Sequence, residues 1–296
     1  MLAALWDDHT VRTVVLGSAM MGAVSGSLGC FAYLRRQSLI GDVVSHSSLL
    51  GIVLAFWLGH RIFGGSNRSL WVLMPGAIVA GLAALLLTKL VTTRTRLKPD
   101  AGLGVMLAIF FGTGMMLLRW LQRVQPPIPG RSGLDDYLFG MAAAMTQADL
   151  LMIAGLGSLA VLTMLATWNR LKVLTFDQDF AAGLGLAVDR LEVLMLALLV
   201  VGIVIGLQVV GVVLMIALLV APAAAARQWT RHLGPMVSVA AAIGSVSAAT
   251  GACISATGEH LPTGPVIVLL LTGAFLVSIV FAPGRGLITR RRIHVD

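Results

Sequence analysis

Residues 41–59 read GDVVSHSSLLGIVLAFWLG. As a helix rising about 1.5 Å per residue, the apolar run 43–59 is long enough to cross the hydrocarbon core of a bilayer. At its start stand Asp42 and His46. Four residues apart, they share one helix face, one turn from each other. Ionisable groups in an apolar span are expensive unless they meet a partner, a cavity or an ion. Two readings stay open. In one, Asp42 is the N-cap of the helix and His46 a hydrogen-bonded interior histidine. In the other, the pair ligates a metal. Carboxylate oxygen with imidazole nitrogen suits Mn, Fe or Zn, and no thiolate lies nearby to favour Cu(I). Two donors hold a metal poorly, so this reading needs a second copy of the chain, or a related one. Two Asp and two His would then meet on the axis of a dimer.

The rest of the chain has the same character. Of 296 residues, 58% are hydrophobic and 11% charged, with a mean hydropathy of +0.94. A soluble domain carries about 25% charged residues, so this is an integral membrane protein. Long apolar segments, rather than short alternating ones, make it all-α and polytopic and exclude a barrel. Apolar runs fall at 12–34, 43–59, 70–92, 101–118, 148–168, 191–206, 208–226, 235–257 and 264–282. The two runs that meet near Gly206 are short and read either as two spans or as one broken helix, giving eight or nine transmembrane helices. No polar gap is long enough to fold alone, so residues 1–296 read as a single transmembrane domain. Met1 to Arg12, with Asp7 and Asp8, does not read as a cleavable signal.

Positive charge sets the expected orientation. With nine spans, alternate loops hold Arg35, Arg36, Lys89, Arg94, Arg96, Lys98, Arg170, Lys172, Arg190, Arg227, Arg231, Arg285 and Arg290 to Arg292, which is 15 of the 21 Lys and Arg. The positive-inside rule puts these loops and the C-terminus in the cytoplasm of a multi-pass protein of the inner (plasma) membrane. The net charge of +8 is therefore topological. It forms no basic stripe with interleaved aromatics, so nucleic acid is not an expected partner. Cys30 and Cys253 lie in apolar runs and read as small hydrophobes. Gly22 and Gly26 put small residues four apart in the first span, a face for close helix packing, read as within the chain ahead of a subunit interface.

Two further stretches stand out. Between spans, residues 176–186 read FDQDFAAGLGL. Asp177 suits an N-cap, Phe180 and Leu184 share a face, and Gly183 and Gly185 close a short amphipathic helix. Such a helix either rests on lipid headgroups or docks on a cytoplasmic partner whose groove Phe176 and Phe180 would fill. Residues 207–229 read LQVVGVVLMIALLVAPAAAARQW, where Gln208 is polar near a membrane face and Pro222 kinks or hinges the helix. Weaker candidates are Asp7, Asp8 and His9, Glu259 and His260, His60 and Arg61, and Asp135, Asp136 and Tyr137. Asp179 and Glu192 read as caps or solvated charge. No phosphate-binding loop, nucleophile elbow, His-Glu-x-x-His or Cys-x-x-Cys occurs. The chain is not expected to be an enzyme, and its energy must come from another subunit or an ion gradient.

These stretches together resemble the membrane permeases of the manganese/zinc/iron chelate family of ABC importers. The resemblance rests on LRRQSLIGDVVSHSSLLG at 34–51, with Leu50 where the family has Pro, and on 176–186 and 207–229. LPTGPVIVL at 261–269 and FAPGRG at 281–286 add to it. It implies that two permease subunits, identical or paralogous, form the pathway. It implies that a cytoplasmic ATPase dimer docks around Phe176, Asp177, Phe180, Gly183 and Gly185, and that an extracytoplasmic metal-binding protein delivers the cargo. It also matches Asp42 and His46 to the family's metal-contacting Asp and His. The expected function is ATP-driven import of a divalent metal, Mn(II) first and Zn(II) or Fe(II) next, with no permanently bound cofactor. The rivals are a proton-coupled secondary metal transporter without an ATPase partner, and a non-transporting membrane scaffold.

Overall fold

The computed structural model describes residues 9–63, 69–125, 128–130, 145–257 and 261–283. Asp7, Asp8, Asp135, Asp136, Tyr137, Glu259 and His260 lie outside the described residues, as do the side chains of His9 and Gln208. The described residues hold helices and no strand. In chain order these are α1 (His9–Leu34), α2 (Ile40–Phe63), α3 (Leu70–Arg94), α4 (Pro99–Arg123), α5 (Gln147–Ala166), α6 (Trp168–Phe176), α7 (Gln178–Gly183), α8 (Val188–Val210), α9 (Val212–Trp229), α10 (Leu233–Thr257) and α11 (Thr263–Phe281). Eight of them are long and apolar enough to cross a membrane, and Met215–Trp229 of α9 is a shorter apolar helix. Eight of the nine expected runs each fall on one of these long helices, and the run 208–226 spans the end of α8 and most of the shorter α9.

Burial separates centre from rim. In α1, 78% of the most apolar window is buried, against 22% in α11. α1 packs on α10, α9, α5 and α8, while α2 packs on α3 and α4, and α8 and α9 join the two groups. Lipid tails are as apolar as leucine, so association depends on close backbone approach. The glycines supply it. A Cβ on Gly22 would collide with the Gly244 carbonyl of α10, and one on Gly244 with the Gly22 carbonyl. Gly26 meets the Ala240 carbonyl, Gly29 the Leu219 carbonyl of α9, and Gly51 the Gly76 carbonyl of α3. The Gly22–Gly26 face is thus an intrachain packing face. Ser25 adds a polar tie, donating from Oγ to the Gly202 carbonyl of α8 at 3.2 Å.

The boundary between the two short runs is displaced from its expected position. It falls at Gly211, with φ 81° and ψ 171°, rather than near Gly206. That backbone region is open essentially to glycine alone. The chain reverses there, so that a Cβ on Gly206 would touch the Met215 side chain. Apolar periodicity could not locate the break, because residues on both sides are equally apolar. Residues 170–176, read as the first part of a loop between two spans, also differ from expectation. They are not loop but α6, anchored by the buried Leu171 and Leu174. Thr167 interrupts the helix between α5 and α6, and α7 follows only at Gln178.

The α1–α2 connection is short because α1 ends in a Schellman motif. Gln37 N donates to Ala32 O at 3.0 Å and Arg36 N to Tyr33 O at 3.1 Å, with Arg36 left-handed at φ 57°. Left-handed backbone costs a non-glycine residue about 1 kcal/mol, partly offset in any glycine variant by glycine's larger unfolded-state entropy. Arg36 is exposed, so its side chain contributes little packing. Arg36→Gly is therefore expected to stabilise the protein by about 0.5 kcal/mol. A rise in the thermal unfolding midpoint in detergent checks this, and a fall contradicts it.

Candidate metal site and docking helix

α2 runs without interruption from Ile40 through Leu50 to Phe63. Its first backbone bond is Val43 N to Leu39 O at 3.1 Å, so Leu39 is the cap. Asp42 is not the N-cap. It is the third residue of the helix, in the first turn, where the helix dipole favours a carboxylate. Its Oδ1 lies 3.1 Å from His46 Nε2. Adjacent ligands of one metal at bond lengths near 2.1 Å stand about 3 Å apart, so the two donors already have chelating separation.

The surroundings isolate this pair. Among residues 42–54, only Asp42, His46, Leu50 and Leu54 are not buried. They recur every fourth residue and form one open stripe on an otherwise enclosed helix. The side chain of His46 is 25% exposed and that of Asp42 30%. Ser47 and Ser48 spend their hydroxyls on the helix itself, donating to Val44 O at 3.1 Å and Ser45 O at 2.6 Å. Phe111 of α4 sets its ring edge-on to the imidazole, with centroids 4.8 Å apart. With Nε2 turned to Asp42, Nδ1 of His46 is buried without a hydrogen-bond partner, as is Ser45 Oγ. His46 is thus held through Nε2 by Asp42, while Nδ1 stays open. Among the described residues, no third Asp, Glu, His or Cys joins the pair to make a metal-binding group.

At the end of the bundle that carries Arg35, Lys89 and Arg170, α7 stands as expected. Asp177 is its N-cap, with Oδ1 accepting from Phe180 N at 2.9 Å. It closes in a second Schellman motif, Leu186 N to Ala181 O at 3.2 Å and Gly185 N to Ala182 O at 2.9 Å, with Gly185 at φ 75°. Gly183 is the last helical residue. Ala181 is fully buried, whereas Phe176 (59%), Phe180 (57%) and Leu184 (57%) are exposed. Asp179 is exposed and reads as solvated charge. Glu192 is neither cap nor solvated. Its carboxylate accepts from Arg35 at 3.3 Å and from Lys89 at 2.8 Å, with its side chain 20% exposed. The signal for it in the sequence was an acid beside an apolar run, with Lys89 alone in the last turns of another.

The remaining candidates are structural. Arg61, in the last turn of α2, lies over the Trp57 ring at 5.5 Å, an interfacial cation–π contact. Pro222 lies inside α9 and deprives the Leu218 carbonyl of its helical donor. The alanines at 223–226 that follow it are buried, allowing close approach of α9 to its neighbours.

Comparison with known proteins agrees with this architecture. The model of the family described as "ABC 3 transport family" matches residues 7–282. The zinc transport system membrane protein TroC of Treponema pallidum is 43% identical, over 99% of this chain and 97% of that protein. The manganese transport system membrane protein MntC of Bacillus subtilis is 39% identical, over 97% of this chain and 65% of that longer protein. Among solved structures, a chain of PsaBC from Streptococcus pneumoniae in complex with Fab superposes with a TM-score of 0.82 at 27% identity, covering 100% of this chain and 99% of that one. With its all-α, membrane-spanning bundle, this chain belongs to the ABC 3 transport family.

Proposed function

We propose that the chain is the membrane permease of an ATP-driven importer of a divalent transition metal, with Mn(II) the first candidate and Zn(II) or Fe(II) next. The open stripe of Asp42, His46, Leu50 and Leu54 carries this reading. A helix enclosed on every other side through residues 42–54, with chelating donors on its one free face there, is built to line a pathway shared with a second subunit. That subunit, a copy or a paralogue, supplies the other Asp and His. Four hard and borderline donors bind a divalent metal, yet leave no sulfur to trap it. Such a set binds tightly enough to select and loosely enough to release.

In this reading the Arg- and Lys-rich end of the bundle and the C-terminus are cytoplasmic. The exposed Phe176, Phe180 and Leu184 face then fits a groove on a cytoplasmic ATPase dimer, and a binding protein delivers metal on the other side. Relatives named for manganese, zinc and chelated iron transport support the cargo class. A proton-coupled mechanism is less well supported. Proton relays need a series of intramembrane acids, and every described acidic side chain of the long helices lies within the first five residues of its helix.

Radioactive Mn and Zn uptake tests the function in cells that express the chain with its ATPase and binding protein. Uptake is expected to need ATP and to survive an uncoupler. Uptake by the chain without any ATPase, collapsed by an uncoupler, would show the proton-coupled rival instead. Phe180→Asp places a charge on the docking face without disturbing the buried side of α7. It is expected to abolish co-purification of the ATPase while leaving the thermal midpoint of the permease unchanged.

A further inference from the structure

The Glu192 carboxylate joins three helices. It lies in the fifth position of α8. Oε1 accepts from Arg35 Nη1 at 3.3 Å, just past the end of α1, and Oε2 from Lys89 Nζ at 2.8 Å, near the end of α3. The side chains are only 10% (Arg35), 20% (Glu192) and 25% (Lys89) exposed. Asp189 also reaches Lys89, at 2.9 Å, but its side chain is 92% exposed. Water screens that pair, so it cannot replace Glu192. Removing the Glu192 charge would leave two partly buried cations sharing one site.

The location of this junction matters more than its strength. Only residues 184–187 separate α7 from α8. Leu186 N to Ala181 O at 3.2 Å and Val188 N to Leu186 O at 2.8 Å bind this connection into a tight elbow. A displacement of α7 therefore moves the first turns of α8. Arg35, on the opposite side of the carboxylate, begins the turn that leads into α2, seven residues before Asp42. Lys89 belongs to α3, which crosses α2 at Gly51 and Gly76. Both cations held by Glu192 thus lead to the helix that carries Asp42 and His46.

We infer that Glu192 is a positioning residue that couples the docking helix α7 to the Asp42–His46 pair on α2. The inference rests on the importer reading above. In it, ATPase closure displaces α7, and Glu192 passes the movement to the α1–α2 turn and to α3 as a unit. Glu192 itself touches no cargo.

The test uses the complete transporter, permease with ATPase and binding protein, in liposomes. ATP hydrolysis and metal uptake are measured together. For Glu192→Gln, metal uptake per ATP is expected to fall by about tenfold, a typical coupling effect, while the complex assembles and hydrolysis persists. Lys89→Met should do the same, and the double variant should be no worse than either alone, because the two groups act through one contact. Wild-type uptake per ATP in Glu192→Gln would overturn the inference. So would parallel loss of hydrolysis and uptake, or additive losses in the double variant. If the wild-type complex shows no ATP-dependent uptake, the importer reading fails first, a result read without any substitution.

Discussion

Asp42→Ala and His46→Ala are each expected to abolish metal accumulation while the transporter still assembles. In the proposed dimeric site, each substitution would remove two of four donors, or one of four where the partner is a paralogue. Losing a group that merely orients a ligand already costs about 10–100-fold in affinity, so losing the ligand itself should cost at least about 100-fold in uptake at limiting metal. The expected stability cost is small. Both side chains are half-buried on the open stripe, 30% and 25% exposed; a pair one helical turn apart is worth about 0.5 kcal/mol, and His46→Ala also gives up the ring contact with Phe111. Co-purification with the ATPase and at most a small fall in the thermal midpoint would therefore accompany the loss of uptake. Asp42→Asn separates charge from shape, because an amide keeps the size but is a poor ligand for a divalent metal. Normal uptake in both alanine variants would remove the site assignment and leave the fold untouched.

Gly22→Val should unfold or misassemble the bundle without approaching the metal pair. A Cβ at this position has no room against the Gly244 carbonyl of α10 and sits 3.0 Å from Ala248 Cβ. The obstacle is backbone, not the flexible tip of a side chain, so two helices must separate for the residue to fit. Overpacking of this kind costs about 1–3 kcal/mol, and more where backbones must move. The upper end is expected here because α1 is the most deeply buried span. Gly155→Ala on α5 is the matching control. Nothing lies within 4 Å of its added Cβ, and alanine in a helix is favoured over glycine by about 1 kcal/mol. Thermal unfolding in detergent should therefore move in opposite directions for the two variants. A stable, fully assembled Gly22→Val protein would show that α1 and α10 do not rely on close backbone approach.

The Gly22 and Asp42 predictions differ in how far they could be read from the chain. The small-xxx-small pattern at Gly22 and Gly26 announces a packing face, because spacing alone puts both on one side of a helix. It does not say that the opposing surface is Gly244 and Ala240, more than 200 residues later. The Asp42–His46 spacing likewise announces a shared face, since four residues make about one turn whatever the surroundings. The rule that places an Asp after Gly as an N-cap was overridden, because the Schellman turn at Arg36 lets α2 begin at Ile40. That helix continues through Leu50 without a break.

By itself, the sequence determined that this protein is a helical membrane protein, where its spans run, and which two side chains share a face at the head of the second. Those properties depend on hydrophobicity and on helical period, which are local. It also determined the short helix α7, whose N-cap at Asp177 and closing glycine at Gly185 are written in adjacent residues. The tertiary structure alone decided that residues 42–54 of α2 are enclosed except for the stripe through Asp42, and that the chain reverses at Gly211 instead of near Gly206. It also decided that Glu192 holds Arg35 and Lys89 together. Burial and ion pairing depend on which helices become neighbours. In an apolar environment, that choice is made by close packing between distant segments, which no local pattern records.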